Sequence, residues 1–237
     1  MMSTLGTEMG ERALKKMIVM ILLLSLTLVV LGCSTDQQSS LRLSDERIKE
    51  LRKEYPLSDG HSDYALTIDV PFEQILKKSD SVIIAEVIKQ NENFQSTLST
   101  ELGASEGNLA KKNKEQGIQS YKPTFVSYEV KVKEVIVGEV IKETTNIFHN
   151  ADFIGIEPDL KPGMTIVASV KKGTAPEQIG SYSFTRYATY YVVDEKYVLS
   201  AYHGKTEEMR GFTNQTDGIT LNSLVELIKE LWSNHQR

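Results

Sequence analysis

The chain has 237 residues, with 27 Lys and Arg against 32 Asp and Glu, a net charge of −5, and 40% hydrophobic and 25% charged residues. That composition is globular, excludes a disordered or multi-spanning chain, and has the wrong sign for a protein held to nucleic acid by phosphate contacts. A single cysteine, Cys33, excludes a disulfide framework, an iron–sulfur cluster and a Cys-rich zinc site.

The N-terminal segment explains that cysteine. Arg12, Lys15 and Lys16 precede the uncharged run Met17–Gly32, and Cys33 and a polar stretch rich in Ser, Gln and Asp follow it. This is a secretory layout, with a basic start, an apolar middle and a small residue before a cut. Val30-Leu31-Gly32-Cys33 resembles the lipobox of bacterial lipoproteins, with Leu31 where a small residue is more usual. The resemblance implies that residues 1–32 are a signal peptide, that the Cys33 thiol is diacylated, and that membrane lipid is a partner through that group. Two acyl chains give the stable anchoring that one chain cannot. A retained transmembrane helix is the alternative, since the uncharged span continues to Thr35 and approaches bilayer length. In either case the basic residues lie on the N-terminal side, so the bulk of the chain is expected to be extracytoplasmic and anchored at the membrane.

Residues 33–60 read as a tether carrying a short helix over Ser44–Glu54, with Ser44 as N-cap and acids in its first turn. Its thin apolar stripe, Ile48, Leu51 and Tyr55, marks it as a spacer or light packing element. A second short helix is expected at Asp69–Lys78, with Pro71 in its first turn. Residues 61–205 then carry β signals. Ser81–Lys89 is a β-branched run, and Thr124–Val137 alternates, with Val126, Tyr128, Val130 and Val132 facing one way and Ser127, Glu129, Lys131 and Lys133 the other. Shorter strands are expected near Thr145–Phe148 and Met164–Lys171, the latter after a Pro-Gly turn at 159–163. Tyr187–Val193 and Lys196–Tyr202 form a hairpin across Asp194-Glu195. Between the first two strands, residues 91–121 are a polar insertion without sustained periodicity. Residues 206–237 supply a C-terminal helix, whose stripe of Leu221, Leu224, Val225, Ile228, Leu231 and Trp232 packs on the sheet.

About five antiparallel strands flanked by helices predict a mainly β (α+β) chain, a small antiparallel OB-like barrel with N- and C-terminal helices, with a two-layer α+β sheet as the competitor. The succession from Lys78 to Ile88, Tyr128 to Gly138 and Leu160 to Gly163 resembles secreted and lipoprotein domains of bacteria with an OB-like barrel. It is also similar to the netrin/TIMP-type inhibitor domain. That inhibitor family depends on cysteines, and residues 61–205 hold none, so the resemblance implies a fold and not protease inhibition.

Signs of chemistry are sparse. His203-Gly-Lys-Thr206 looks like the tail of a phosphate-binding loop, but Leu199 stands where the motif needs its first glycine. His149-Asn-Ala-Asp152, with Glu157 and Asp159, is the one stretch with possible metal ligands, and a capped turn explains it more simply. No metal site and no cofactor are expected. Six tyrosines crowd into residues 182–202, and Arg186, Tyr187, Tyr190 and Tyr191 are the candidate ligand-binding residues; adjacent Tyr190 and Tyr191 must point to opposite faces, so at least one is expected outside the core. The expected function is a non-catalytic binding or interaction module at the cell envelope, with an envelope protein or glycan as partner and no nucleic acid. The alternatives are an envelope hydrolase using acids at the barrel mouth, for which Glu86 and Glu134 are the only candidates in apolar runs, and a purely structural lipoprotein.

Overall fold

A computed structural model of the chain describes residues 42–60, 68–96, 112, 115–117 and 122–235. The apolar leader, Cys33 and most of the 91–121 insertion lie outside the described residues. The described part contains helices α1 (Asp45–Leu51), α2 (Phe72–Lys78), α3 (Glu207–Thr216) and α4 (Leu221–His235). Its strands are β1 (Ser81–Gln90), β2 (Phe94–Gln95), β3 (Thr124–Gly138), β4 (Thr144–Asn150), β5 (Thr165–Lys172), β6 (Ser181–Val193) and β7 (Tyr197–Ser200).

The chain is α+β and mainly β, and its seven strands form one mixed sheet. Pairings run β1–β5–β6–β4–β3 and return to β1 through β1–β3, with β2 added to β3 and β7 to β6. The expectation that every pairing is antiparallel is corrected at one place: β4 and β6 are parallel, Asn146 opposite Ser181 and Phe148 opposite Ser183. The reason is one of parity. Strands in a closed cycle of five cannot alternate direction all the way round, so at least one neighbouring pair must run the same way.

The alternation in β3 is realised from Tyr128 to Lys131, while Ser127, expected on the wet face, is buried with its neighbours. Val126, Tyr128 and Val130 are buried with Ile83, Ala85 and Val87 of β1 and Ile166, Ala168 and Val170 of β5 in one core. The opposite faces of β1, β5 and β6 give Val82, Ile84, Val167, Tyr190 and Val192 to a second core, closed by Phe72 and Leu76 of α2 and Leu224, Val225 and Ile228 of α4. A strand covered on both faces reads as an unbroken apolar run, which is why β1 lacks alternation. The ladder between β1 and β3 shifts register at three points; such bulges bend and twist paired strands.

Two expectations about helices change. Residues 206–237 hold two helices rather than one, α3 being capped by Thr206, whose side chain accepts from Met209 N. The segment expected as spacer also belongs to the body. Leu51 is buried in the first core, with Leu43 and Ile48 packed against it. Arg52 reaches Asp217 at 2.6 Å and Ser200 O at 2.8 Å, and Arg47 reaches Asp194 at 3.1 Å. Asp217 also accepts from Ser200 N at 2.9 Å, so Arg52 is one corner of a half-buried network joining α1, β7 and the α3–α4 junction. Arg52→Ala is expected to lower unfolding free energy by about 2–4 kcal/mol, since it takes the cation from the Asp217 carboxylate and a donor from Ser200 O; urea unfolding checks this, and a spacer would show almost no change.

Candidate functional site

The aromatic hairpin does not offer the expected recognition surface. Tyr190 and Tyr191 do point to opposite faces of β6, but both faces are covered: Tyr190 (2% exposed) lies in the helix-side core and Tyr191 (1%) in the other. Tyr190 meets Phe72 edge-on at 6.0 Å and shares a hydrogen bond with Thr216. Tyr191 packs on Tyr55 at 5.5 Å. The expectation that one of them escapes the core fails because α2 and α4 roof the outer face. Tyr187 is half-buried and donates to Ile68 O at 2.9 Å. Arg186 is wholly buried.

The acid pair suggested for a hydrolase is not assembled. Glu86 lies in a cleft that Glu134 does not line, and is ion-paired with Lys133 at 3.0 Å; Glu134 is exposed on β3. Nor is the 203–206 turn open to phosphate. The Asp69 carboxylate accepts from Lys205 N at 2.7 Å, from Thr206 N and from the Tyr202 hydroxyl at 2.6 Å, which fills the start of α3 with an internal anion. Burial pulls the Asp69 pKa upward, but these bonds outweigh it and hold the carboxyl below its ordinary value. In the 149–159 stretch, Asn150 caps a single 3-10 turn at Ala151–Phe153 by accepting from Asp152 N at 2.8 Å. Among the described residues no group of three or more His, Cys, Asp and Glu could hold a metal ion.

That stretch does build a site of another kind. A cleft of ≈ 320 Å³ is lined by Val126 and Tyr128 of β3, His149 of β4, Gln90 of β1, and the segment Ile154, Gly155, Glu157, Pro158 and Asp159. Its walls are mostly apolar and its polar groups are perturbed. Burial lowers the His149 pKa, against a backbone bond at Asn150 O, so the imidazole is neutral at neutral pH. Burial also pushes the Tyr128 hydroxyl up to about 12. Glu157 (9% exposed) has its carboxyl pushed up by burial to about 7, with the Arg186 backbone N–H and the Arg186 charge opposing the shift. Buried titratable groups moved toward neutrality in a cleft are a recognised mark of a functional site.

Arg186 sits directly behind this wall because of an irregularity in β6. Ala168 faces Thr189 but Val170 faces Phe184, so residues 185–188 leave the ladder. The Arg186 N–H freed by that excursion donates to Glu157 Oε2. Its Nη1 donates to Ser58 O at 2.6 Å and Ile156 O at 3.2 Å, and its guanidinium carbon lies 4.1 Å from the Tyr202 ring centre and 5.2 Å from that of Tyr187. Of the four candidate ligand-binding residues, Arg186 is the one bonded to a residue of the cleft, through its backbone N–H to Glu157. Glu157 and His149 were noticed only as metal ligands, and Tyr128 only as a core position; the signal that joins them is spatial, since their sequence separation carries no motif.

No protein-family model and no curated protein sequence matches this chain.

Because burial raises the Glu157 pKa above its ordinary 4.5, to about 7, the folded chain holds this proton more tightly than the unfolded one. The associated stabilisation is full below pH about 4.5 and is lost as pH rises through about 7, an effect on the order of 3 kcal/mol. Glu157→Gln keeps an oxygen acceptor for Arg186 N–H and is expected to flatten the fall in stability between these limits, measured as urea midpoints against pH. Tyr191→Ser, which removes a ring from the core, is expected to cost about 3–5 kcal/mol in the same assay; a ligand-facing tyrosine would cost far less.

Proposed function

We propose that this chain is a lipoprotein held to the extracytoplasmic face of a membrane through acyl chains on Cys33, and that its body is an OB-like barrel serving as a non-catalytic binding module at the cell envelope. The anchoring rests on the basic-apolar-Gly32-Cys33 succession. The OB-like reading is supported by the cycle of five strands with one parallel pair. The observation that carries the binding role is the cleft lined by Val126, Ile154 and Pro158, into which Tyr128, His149 and Glu157 bring a few polar groups. Largely apolar walls with sparse polar groups are what a small ligand or a protruding side chain needs.

One observation favours an envelope hydrolase as the second reading. A carboxyl titrating near 7 and a neutral imidazole in one cleft are matched to proton transfer. Hydrolysis of an envelope glycan or peptide by the wild type, abolished in Glu157→Gln, would turn the reading toward that function.

Mass spectrometry of the membrane-extracted protein is expected to find a diacylglyceryl group on an N-terminal Cys33, and Cys33→Ser is expected to lose labelled palmitate and keep residues 1–32. A wild-type chain still beginning at Met1 would instead support a retained helix. A photo-crosslinker at Ile154, exposed on the cleft rim, is expected to capture a partner glycan or protein that the same group at exposed Val140, away from the cleft, does not.

A further inference from the structure

Two buried polar side chains of the cleft each keep an atom without a partner. Glu157 (9% exposed) gives Oε2 to the Arg186 backbone N–H, and its Oε1 has no hydrogen-bond partner among the described residues. His149 (6% exposed) uses Nδ1, 3.0 Å from Asn150 O, and its Nε2 likewise has none. Neither atom is sealed in, since the fully enclosed side-chain nitrogens and oxygens that lack a partner among the described residues all belong to Arg186. Both residues line the cleft, so it is onto the cleft that these atoms open.

Both atoms are acceptors. A carbonyl only accepts, so the Nδ1 beside Asn150 O carries the ring proton, and in the neutral ring Nε2 is a bare lone pair. An ionised carboxylate has no proton to donate. The lining residues include the carboxylates of Glu157 and Asp159 and, among the described residues, no Lys or Arg; Arg186, behind Glu157, balances one of the two acids. Acceptors and negative charge within apolar walls are complementary to a donor that carries positive charge. The cleft, ≈ 320 Å³, is at the small end for ligand pockets, so a small occupant meets several walls at once.

We propose that the cleft binds a primary ammonium on a short apolar stem, its N–H groups donated to Glu157 Oε1 and His149 Nε2 and its stem lying against Val126, Ile154 and Pro158. This rests on the binding-module reading and names its ligand class. A free amine and the lysine side chain of a partner protein share that chemistry. Binding needs the ionised carboxylate, the form Glu157 takes as pH rises through about 7. Around it stand Arg186, whose N–H and charge favour that form, and, along the cleft, Asp159, His149 and Tyr128; burial favours the neutral His149 ring and the protonated Tyr128. Affinity for an ammonium is therefore expected to rise about tenfold from pH 6 to pH 8, following the ionised fraction of Glu157.

The test is titration of the full chain in nonionic detergent with butylamine and with Nα-acetyl-lysine methylamide, and with butan-1-ol as an uncharged control, followed by the His149 ring nitrogens in proton–nitrogen NMR and by thermal unfolding. At pH 8 the two ammonium ligands are expected to shift His149 Nε2 more than Nδ1 and to raise Tm, with butan-1-ol doing neither. Tighter binding of the lysine derivative assigns the site to a partner's side chain, and tighter binding of butylamine assigns it to a free amine. Glu157→Gln removes the charge but keeps an oxygen for the Arg186 N–H, and is expected to weaken butylamine binding roughly tenfold and to abolish its pH dependence. Because a variant at a buried position can disturb the cleft, the wild-type chain decides. An Nε2 signal unmoved by saturating ammonium ligand or moved equally by butan-1-ol, or an affinity that does not rise from pH 6 to pH 8, overturns the proposal. Capture of a partner at Ile154 alongside such a result would leave the binding module standing and remove only the ammonium.

Discussion

Strand β1 is paired along both edges, Ser81 to Glu86 facing β5 on one side and β3 on the other, and its side chains are buried on both faces. The sheet depends on that strand. Because β1 meets β3 as well as β5, the five strands return on themselves, and the strand that would otherwise lie at an edge has its backbone donors and acceptors satisfied. Closure separates the two cores, one within the cycle and one beneath α2 and α4. It also brings Gln90, at the end of β1, beside Val126 and His149, from β3 and β4, on one cleft.

The second element on which the structure turns is the excursion in β6. Leaving the ladder at 185–188 frees backbone groups and drives a cation into the interior, both unfavourable by themselves. Local bonds offset part of this: Thr189 Oγ1 donates to Thr185 O at 2.7 Å, Glu157 accepts from Arg186 N, and two carbonyls from distant segments converge on Nη1. The guanidinium thereby fastens Ser58 to Ile156, residues far apart in sequence. The same excursion that weakens the ladder gathers the segments around the cleft.

Much of this was readable along the chain, and the failures share a cause. Element type and order follow from local signals: Ser44 caps α1, accepting from Arg47 N, Pro71 starts α2, and the alternation in β3 selects its buried face. What periodicity cannot register is the second layer. Tyr190 looked free because one side of a hairpin strand is ordinarily wet, but α2 and α4 cover that side. Three apolar residues made α1 look like a spacer, because Arg47 and Arg52, which fasten it, bond to residues about 150 positions away. Arg186 was picked for its aromatic company and does lie against two tyrosines, though inside the fold rather than on its surface. The parallel β4–β6 pairing is a property of the cycle as a whole and of no single segment.

The way the chain enters the body has a mechanical consequence. Leu43 N donates to Gly218 O at 2.8 Å, Arg42 bridges Ile219 and donates to Asn214 O at 2.7 Å, and residues 218 and 219 are in turn bonded to Val198 of β7. Tension applied at residue 42 therefore falls first on a few short bonds between the entering strand and the α3–α4 junction, then on the Arg47 and Arg52 ion pairs, and reaches the closed cycle of strands last. The α1 segment stands first in the path of such a load, and the strands of the cycle stand last.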